Sequence, residues 1–196
     1  MRTRPPVWAE ATLRIFLKAD AFASVAGDLL EQYRDSILPN CGLASADRWY
    51  LKQVAGFALR SVFAWAALFA GAFVARSALD WFRPTNDFQT RSHISTAIAA
   101  ALLLAVGFRT AWQSRSFTAG AIAGFVTTAI AAALSIVGNA ALFATWHDPG
   151  TMSAIQDSGG LGEAFELPVV LILPGIVLGG VGGLVGAGIS RLARPT

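Results

Sequence analysis

Two histidines, one cysteine and a handful of acids are the residues of this chain whose types lend themselves to chemistry. His93 stands near Asp87 and Arg91, and His147 stands beside Asp148. On one side of a membrane, two imidazoles and a carboxylate would supply three ligands of a tetrahedral zinc site. Their spacing matches no metal motif, and a histidine at the end of an apolar segment is ordinary, so no metal ligand is assigned. Cys41 is alone, which excludes an intramolecular disulfide and a cysteine-rich metal site. Nucleophilic hydrolysis would call for a serine on a G-x-S-x-G elbow with a base beside it, and that motif does not occur. The glycines at Gly159-Gly160 and Gly179-Gly180 lack the Lys-Ser/Thr pair that a phosphate-cradling loop requires. No catalytic, metal or cofactor residue is assigned, no cofactor is expected, and the expectation is a protein that is not an enzyme.

Other polar groups sit inside long apolar stretches and read as structural. Asn139 is expected to hydrogen-bond a neighbouring helix. Ser135, Thr127 and Thr128 can bond back to carbonyls of their own helix. Arg60 reads as an anchor whose guanidinium snorkels to the headgroups. The spacing of small residues carries more. Gly175, Gly179, Gly183 and Ala187 fall four apart and make one smooth ridge on a helix, with Gly182 and Gly186 as a second pair. Gly120, Gly124 and Thr128 make a similar ridge elsewhere. Such ridges let helices approach closely, either within one bundle or across a homo-oligomer seam. Pro174 is expected to kink its helix, and a kinked, glycine-rich helix can line a solute path.

The elements that would position these residues follow from charge and periodicity. Of the 196 residues, 55% are hydrophobic and 14% charged, against about 25% charged in a soluble domain. No Asp, Glu, Lys or Arg lies between Ser116 and His147, or between Leu167 and Ser190. Lipid is the solvent such stretches suit. The expected fold is an all-α membrane protein. A cytoplasmic helical domain over 1–53 precedes a four-helix transmembrane domain over 54–196, with spans near 54–75, 93–112, 117–143 and 167–189. The start, interrupted by Glu10, Arg14 and Lys18, is not expected to be a cleaved signal. Pro5-Pro6 opens a first helix whose dry side is Trp8, Ala11 and Ile15 with Leu13 and Phe16. Asp20 is expected to cap a second, with Phe22, Val25, Ala26, Leu29, Leu30, Tyr33 and Ile37 on its dry face. Pro39-Asn40-Cys41-Gly42 turns the chain, and Ser45 is expected to cap a third helix that continues into the membrane.

Arginine and lysine fix the orientation. With both termini inside, twelve of them are cytoplasmic and only Arg76, Arg83 and Arg91 lie outside. The last outer loop has acids but no Lys or Arg. This distribution obeys the positive-inside rule. It also accounts for a pI near 9.6 without nucleic acid, which is not an expected partner.

Pro6, Ala9-Glu10, Leu13, the run from Gly27 to Arg34 (GDLLEQYR) and the run from Trp49 to Val54 (WYLKQV) resemble the permease prefix domain of bacterial FtsX-like ABC permeases. The resemblance implies a short helical module leading into a first transmembrane helix at the bacterial plasma (inner) membrane. It implies no catalytic or binding residue. The outer loops are too short for the large domain of such permeases, so the remainder looks like stand-alone bacterial multi-pass proteins. In the residues themselves, Gly27 would allow close approach of the first helix. Asp28, Glu31, Tyr33, Trp49 and Tyr50 are candidate docking residues. The functional expectation is a protein acting through interactions in the lipid bilayer, with a membrane protein such as a permease as partner. The alternative is a small transporter or channel component.

Overall fold

The computed structural model describes residues 4–83, 88–146 and 148–192, with the backbone alone at 19, 20 and 88. Arg2, Asp87, His147 and Arg194, and the side chain of Asp20, lie outside what is described. The described residues are all-α. In chain order they form α1 (Val7–Phe16), α2 (Ala19–Gln32), a π-helical turn (Tyr33–Ile37) and α3 (Leu38–Phe82). Then come α4 (Phe88–Ser114), α5 (Phe117–Thr145), α6 (Pro149–Asp157), α7 (Gly160–Phe165), α8 (Leu167–Val170) and α9 (Ile172–Leu192). Four helical stretches, Ala21–Phe82, Gln89–Ser114, Phe117–Thr145 and Leu167–Leu192, are long and apolar enough to cross a membrane. Each is longer than the apolar windows at 54–75, 93–112, 117–143 and 167–189, because the helices continue past the hydrocarbon edge into polar turns. Leu68, Val137, Leu173, Val177 and Leu184 are each at least 60% exposed on the outside of the bundle. Large apolar side chains displayed in this number suit contact with lipid.

The N-terminal domain has its own core of Ala9, Leu13, Leu29, Tyr33, Ala46, Tyr50 and Val54. On α2, Leu29 is buried and Phe22, Val25 and Ala26 pack against the same core, as their spacing requires. On α1 the dry stripe is Ala9, Leu13 and Phe16, spaced i, i+4, i+7. Trp8 is instead 62% exposed, and Ala11 is exposed as well. Nearly every non-charged position of α1 is apolar, so several stripes satisfy its period, and the smallest side chain, Ala9, takes the closest approach. Lys18, not Asp20, stands at the N-cap of α2. Gly42 alone breaks helical geometry inside α3, at φ 74° and ψ 169°, a conformation that favours glycine. Helix resumes at Leu43, so Ser45 lies within it and not at a cap. Gly27 meets no atom within 4 Å at its Cβ position, so it permits no close contact with α1. Burial, and then the charge of Glu10, hold the Tyr50 phenol above its ordinary pKa.

From Leu43 to Phe82, α3 is one rod of about 60 Å at 1.5 Å per residue. Its lower part joins the N-terminal core through Tyr50 and Val54. Phe16 of α1 reaches into the proximal end of the bundle among Ala58, Val62, Val106 and Ala123. Further along, Ala66, Phe69, Ala70, Leu103 and Ala131 close the interior between α3, α4 and α5. On the opposite side, α9 packs against both α4 and α5. A Cβ on Gly179 would lie 2.5 Å from the carbonyl oxygen of Gly120 and 2.8 Å from Cα of Gly124. One on Gly183 would lie 2.7 Å from the carbonyl oxygen of Phe117. Gly175 sits beneath Thr128, and Gly107 meets Gly179. Gly182 and Gly186 abut the backbone carbonyls of Leu104 and Phe108. Ala187 is 3% exposed. The last stretch is interrupted at Leu171, at ψ −8°, between α8 and α9. Pro174 has no N–H for the carbonyl of Val170, so the interruption falls where that bond would close.

These contacts set a pair of outcomes. Gly179→Ala is expected to lower unfolding free energy by about 2–3 kcal/mol, since backbone cannot retreat as a side chain would. Gly188→Ala, whose Cβ meets nothing within 4 Å, is expected to be neutral to slightly stabilising. Reversible unfolding in bicelles measures both.

Candidate functional site

At the distal end of the bundle, four charged side chains from three helices form an alternating chain. Arg76 and Asp80 are one turn apart on α3, with Nε to Oδ2 at 3.4 Å. Arg76 Nη2 also donates to Glu163 Oε1 of α7. Arg91 of α4 approaches the other Asp80 oxygen at 3.3 Å. The same Arg91 nitrogen donates to the carbonyls of Leu79 at 3.0 Å and Arg83 at 2.9 Å, at the C-terminal end of α3 where helix carbonyls lack partners. The side chains of Asp80 and Arg76 are only 6% and 11% exposed. Such burial is tolerated because each charge meets its opposite. Two cations and two anions leave the group neutral.

The short helices α6 and α7 form a cap over this end. Gly159 and Gly160, at φ 109° and 75°, make the turn between them. Trp81, Ile155 and Ala164 pack beneath the cap. Asn139, fully buried on α5, donates from Nδ2 to the carbonyl of Ala164 at 2.8 Å. Among the described residues, its Oδ1 and the hydroxyls of Thr127 and Ser135 on the same helix have no hydrogen-bond partner. Thr128 donates to the carbonyl of Gly124 at 2.7 Å. Asp148 caps α6, accepting from the amides of Gly150 and Thr151 at 3.1 and 3.2 Å. The Thr151 hydroxyl, first, and these amides hold the Asp148 carboxyl below its ordinary pKa.

A cavity of about 270 Å³ opens beside the ionic chain, between α3, α4 and the α7–α8 segment. Phe69, Phe73, Ala99 and Leu171 line its apolar part, while Arg76, Ser92, Ser95, Thr96 and Glu163 supply polar groups. A second hollow of about 20 Å³ touches Arg76, Asp80, Glu163 and Ser158. It is large enough for one water. The arrangement can hold a molecule with one polar and one apolar end.

The residues assigned by spacing are distributed differently. Gly120, Gly124, Gly175, Gly179 and Gly183 come together in one seam inside the chain, not on its surface. Asp28 and Glu31 are exposed on α2. Tyr33 and Tyr50 are not: they are 0% and 1% exposed, edge-to-face at 6.0 Å, and Tyr33 donates to Asp47 Oδ1 at 2.8 Å. They hold the domain core together and offer no docking surface, while Trp49 is half-buried beside Tyr50. Among the described residues no three His, Cys, Asp or Glu side chains gather as metal ligands, and His93 is exposed. The ionic chain escaped the sequence reading, which took Arg76 and Arg91 as flanking cations and Glu163 as a loop acid. The i, i+4 spacing of Arg76 and Asp80 was the one local signal for it.

The fold defines an all-α protein with four helices able to cross a membrane. No protein-family model, curated protein or solved structure matches the chain.

Two outcomes test this end of the molecule. Arg76→Met leaves the buried Asp80 beside Arg91 alone among the described residues, and is expected to cost about 3 kcal/mol of stability. Adding Glu163→Gln to that variant should cost little more, because the shared interaction is already gone. The Asp148 carboxyl titrates lower folded than unfolded, so its cap is complete above the ordinary carboxylate range and is lost as pH falls through the folded value. Once the intrinsic pH dependence of exchange is divided out, the protection of the Gly150 and Thr151 amides should therefore fall in acid, and Asp148→Asn should flatten that dependence.

Proposed function

We propose that this chain is a non-enzymatic, multi-pass protein of a bacterial plasma (inner) membrane that acts by docking a partner through its N-terminal domain. Both termini are cytoplasmic in this reading. The proximal end, with the N-terminal domain, lies inside, and the cap of α6 and α7 lies outside. The arginine distribution supports it: Arg14, Arg34, Arg48, Arg60, Arg109 and Arg115 gather proximally, against Arg76, Arg83 and Arg91 distally. The permease-prefix resemblance of residues 1–53 supports a permease as the partner.

One observation carries the docking reading. The acids Asp28, Glu31 and Asp35 stand exposed on one face of a domain whose other side is fixed to the bundle through Phe16 and the part of α3 that follows Gly42. A face held rigidly beside a membrane keeps low conformational entropy on binding and stays within reach of another membrane protein. The charge of that face suits a basic patch on the partner. The second reading, a component that binds or moves an amphiphilic solute, is favoured by the cavity beside Arg76 and Glu163.

Photo-crosslinkers at Asp28 and Glu31 in intact cells are expected to capture one defined membrane protein, and charge reversal of both acids should abolish capture. Random or absent capture would remove the docking reading. Flux of an amphiphile from vesicles, lost in Ala99→Phe with folding retained, would establish the second in its place.

A further inference from the structure

A second cleft, at the proximal end of the bundle, has a chemistry of its own. It lies between α3 and α4 and has a volume of about 280 Å³. Arg60 enters it from α3 and Arg109 from α4. No ion pair or hydrogen bond engages either guanidinium among the described residues. Both arginines are exposed, and two like charges lining one cleft without a counter-charge among the described residues would both attract an anion bound there. Thr110, 8% exposed, and Gln113 line the same wall and add neutral donors. Trp65 and Phe16 supply apolar rings on the side facing the bundle interior.

We propose that this cleft binds the phosphate of an anionic phospholipid. A planar guanidinium presents paired N–H groups that match two phosphate oxygens, and two of them from different helices can grip one phosphodiester from both sides. From just inside the hydrocarbon edge, an arginine side chain is long enough to bring its guanidinium to the headgroups. Arg60 stands about 9 Å, six residues, inside Val54, and Arg109 stands near the end of the second apolar window. The volume equals roughly nine waters at about 30 Å³ each, room for a phosphodiester and its attached glycerol carbons. Trp65 and Phe16 then meet the first apolar atoms of the lipid. A snorkelling arginine needs only the diffuse headgroup layer, whereas two that line one cleft beside Thr110 and Gln113 offer a single site with added donors. Phe16 belongs to both this cleft and the junction between α1 and the bundle. A bound lipid would thus contact the element that seats the N-terminal domain. The inference needs only that the bundle is embedded in lipid, and stands whether or not the domain docks a partner.

The test uses the full-length chain in detergent, titrated with short-chain phosphatidylglycerol while Trp fluorescence and native mass spectra are recorded. Saturable binding of one lipid is expected. Arg60→Gln and Arg109→Gln should each weaken it roughly tenfold, a loss typical of charged hydrogen bonds. Lysine at both positions should recover part of the affinity, since charge returns without the fork. Three results would overturn the proposal. The first is equal binding of diacylglycerol with the same chains. The second is equal weakening by Arg115→Gln alone or Arg191→Gln alone, each of which removes one charge elsewhere. The third is competition by inorganic phosphate at the affinity of the lipid, which would assign the site to the free ion. Far-ultraviolet circular dichroism of each variant separates lost binding from lost folding.

Discussion

Along α9, the Cα atoms of Gly175, Gly179 and Gly183 stand where side chains would normally keep two helices apart, and the backbones of α5 and α4 fill the space. That approach shapes the whole bundle. In lipid the hydrophobic effect does not distinguish a helix partner from a hydrocarbon tail, so association rests on dispersion summed over close contacts. Glycine on both faces of α9 brings α4 and α5 against the same helix. The glycines are consumed inside the chain in doing so. With α9 seated, α3 closes the opposite side through Val62, Ala66 and Phe69, and the N-terminal domain follows through Phe16.

A single helix then links two unlike ends. The rod passes through the domain core at Tyr50 and carries Arg76 and Asp80 about 40–45 Å further on, more than the thickness of a hydrocarbon core, and those charges tie it to α4 and α7. Each end is held by a different force, aromatic burial at one and a neutral ionic chain at the other. Gly42 is the joint that separates this rod from the π-helical turn before it. The consequence is a body whose domain and distal cap share one stiff axis.

Much of this was legible in the residues. Uncharged runs locate the apolar windows because an ion in hydrocarbon is costly, and the four-residue spacing of glycines marks helices that approach closely. The face of α2 follows from Leu29 and its neighbours because Asp28, Glu31 and Asp35 leave a single dry stripe. On α1 the choice between Trp8 and Ala9 depends on what the helix meets, which periodicity does not encode. The spacing set Tyr33 on the dry face of α2 while its type made it a docking candidate, and burial, with Asp47 accepting from its hydroxyl, bears out the first. The ionic chain joins residues 87 positions apart, Arg76 and Glu163, and only the folded topology brings them together.

The small-residue seam is also finite, and its length has a mechanical meaning. A ridge that repeats every four residues would let a helix slip by one turn and find an equivalent fit. Moving α9 one way would press Leu171 against Thr128, in the place of Gly175. Moving it the other way would put the methyl of Ala187 where Gly183 now faces Gly120. Both slides are blocked, so the smoothest surface in the protein is also keyed at its two ends, and the helix has one seat.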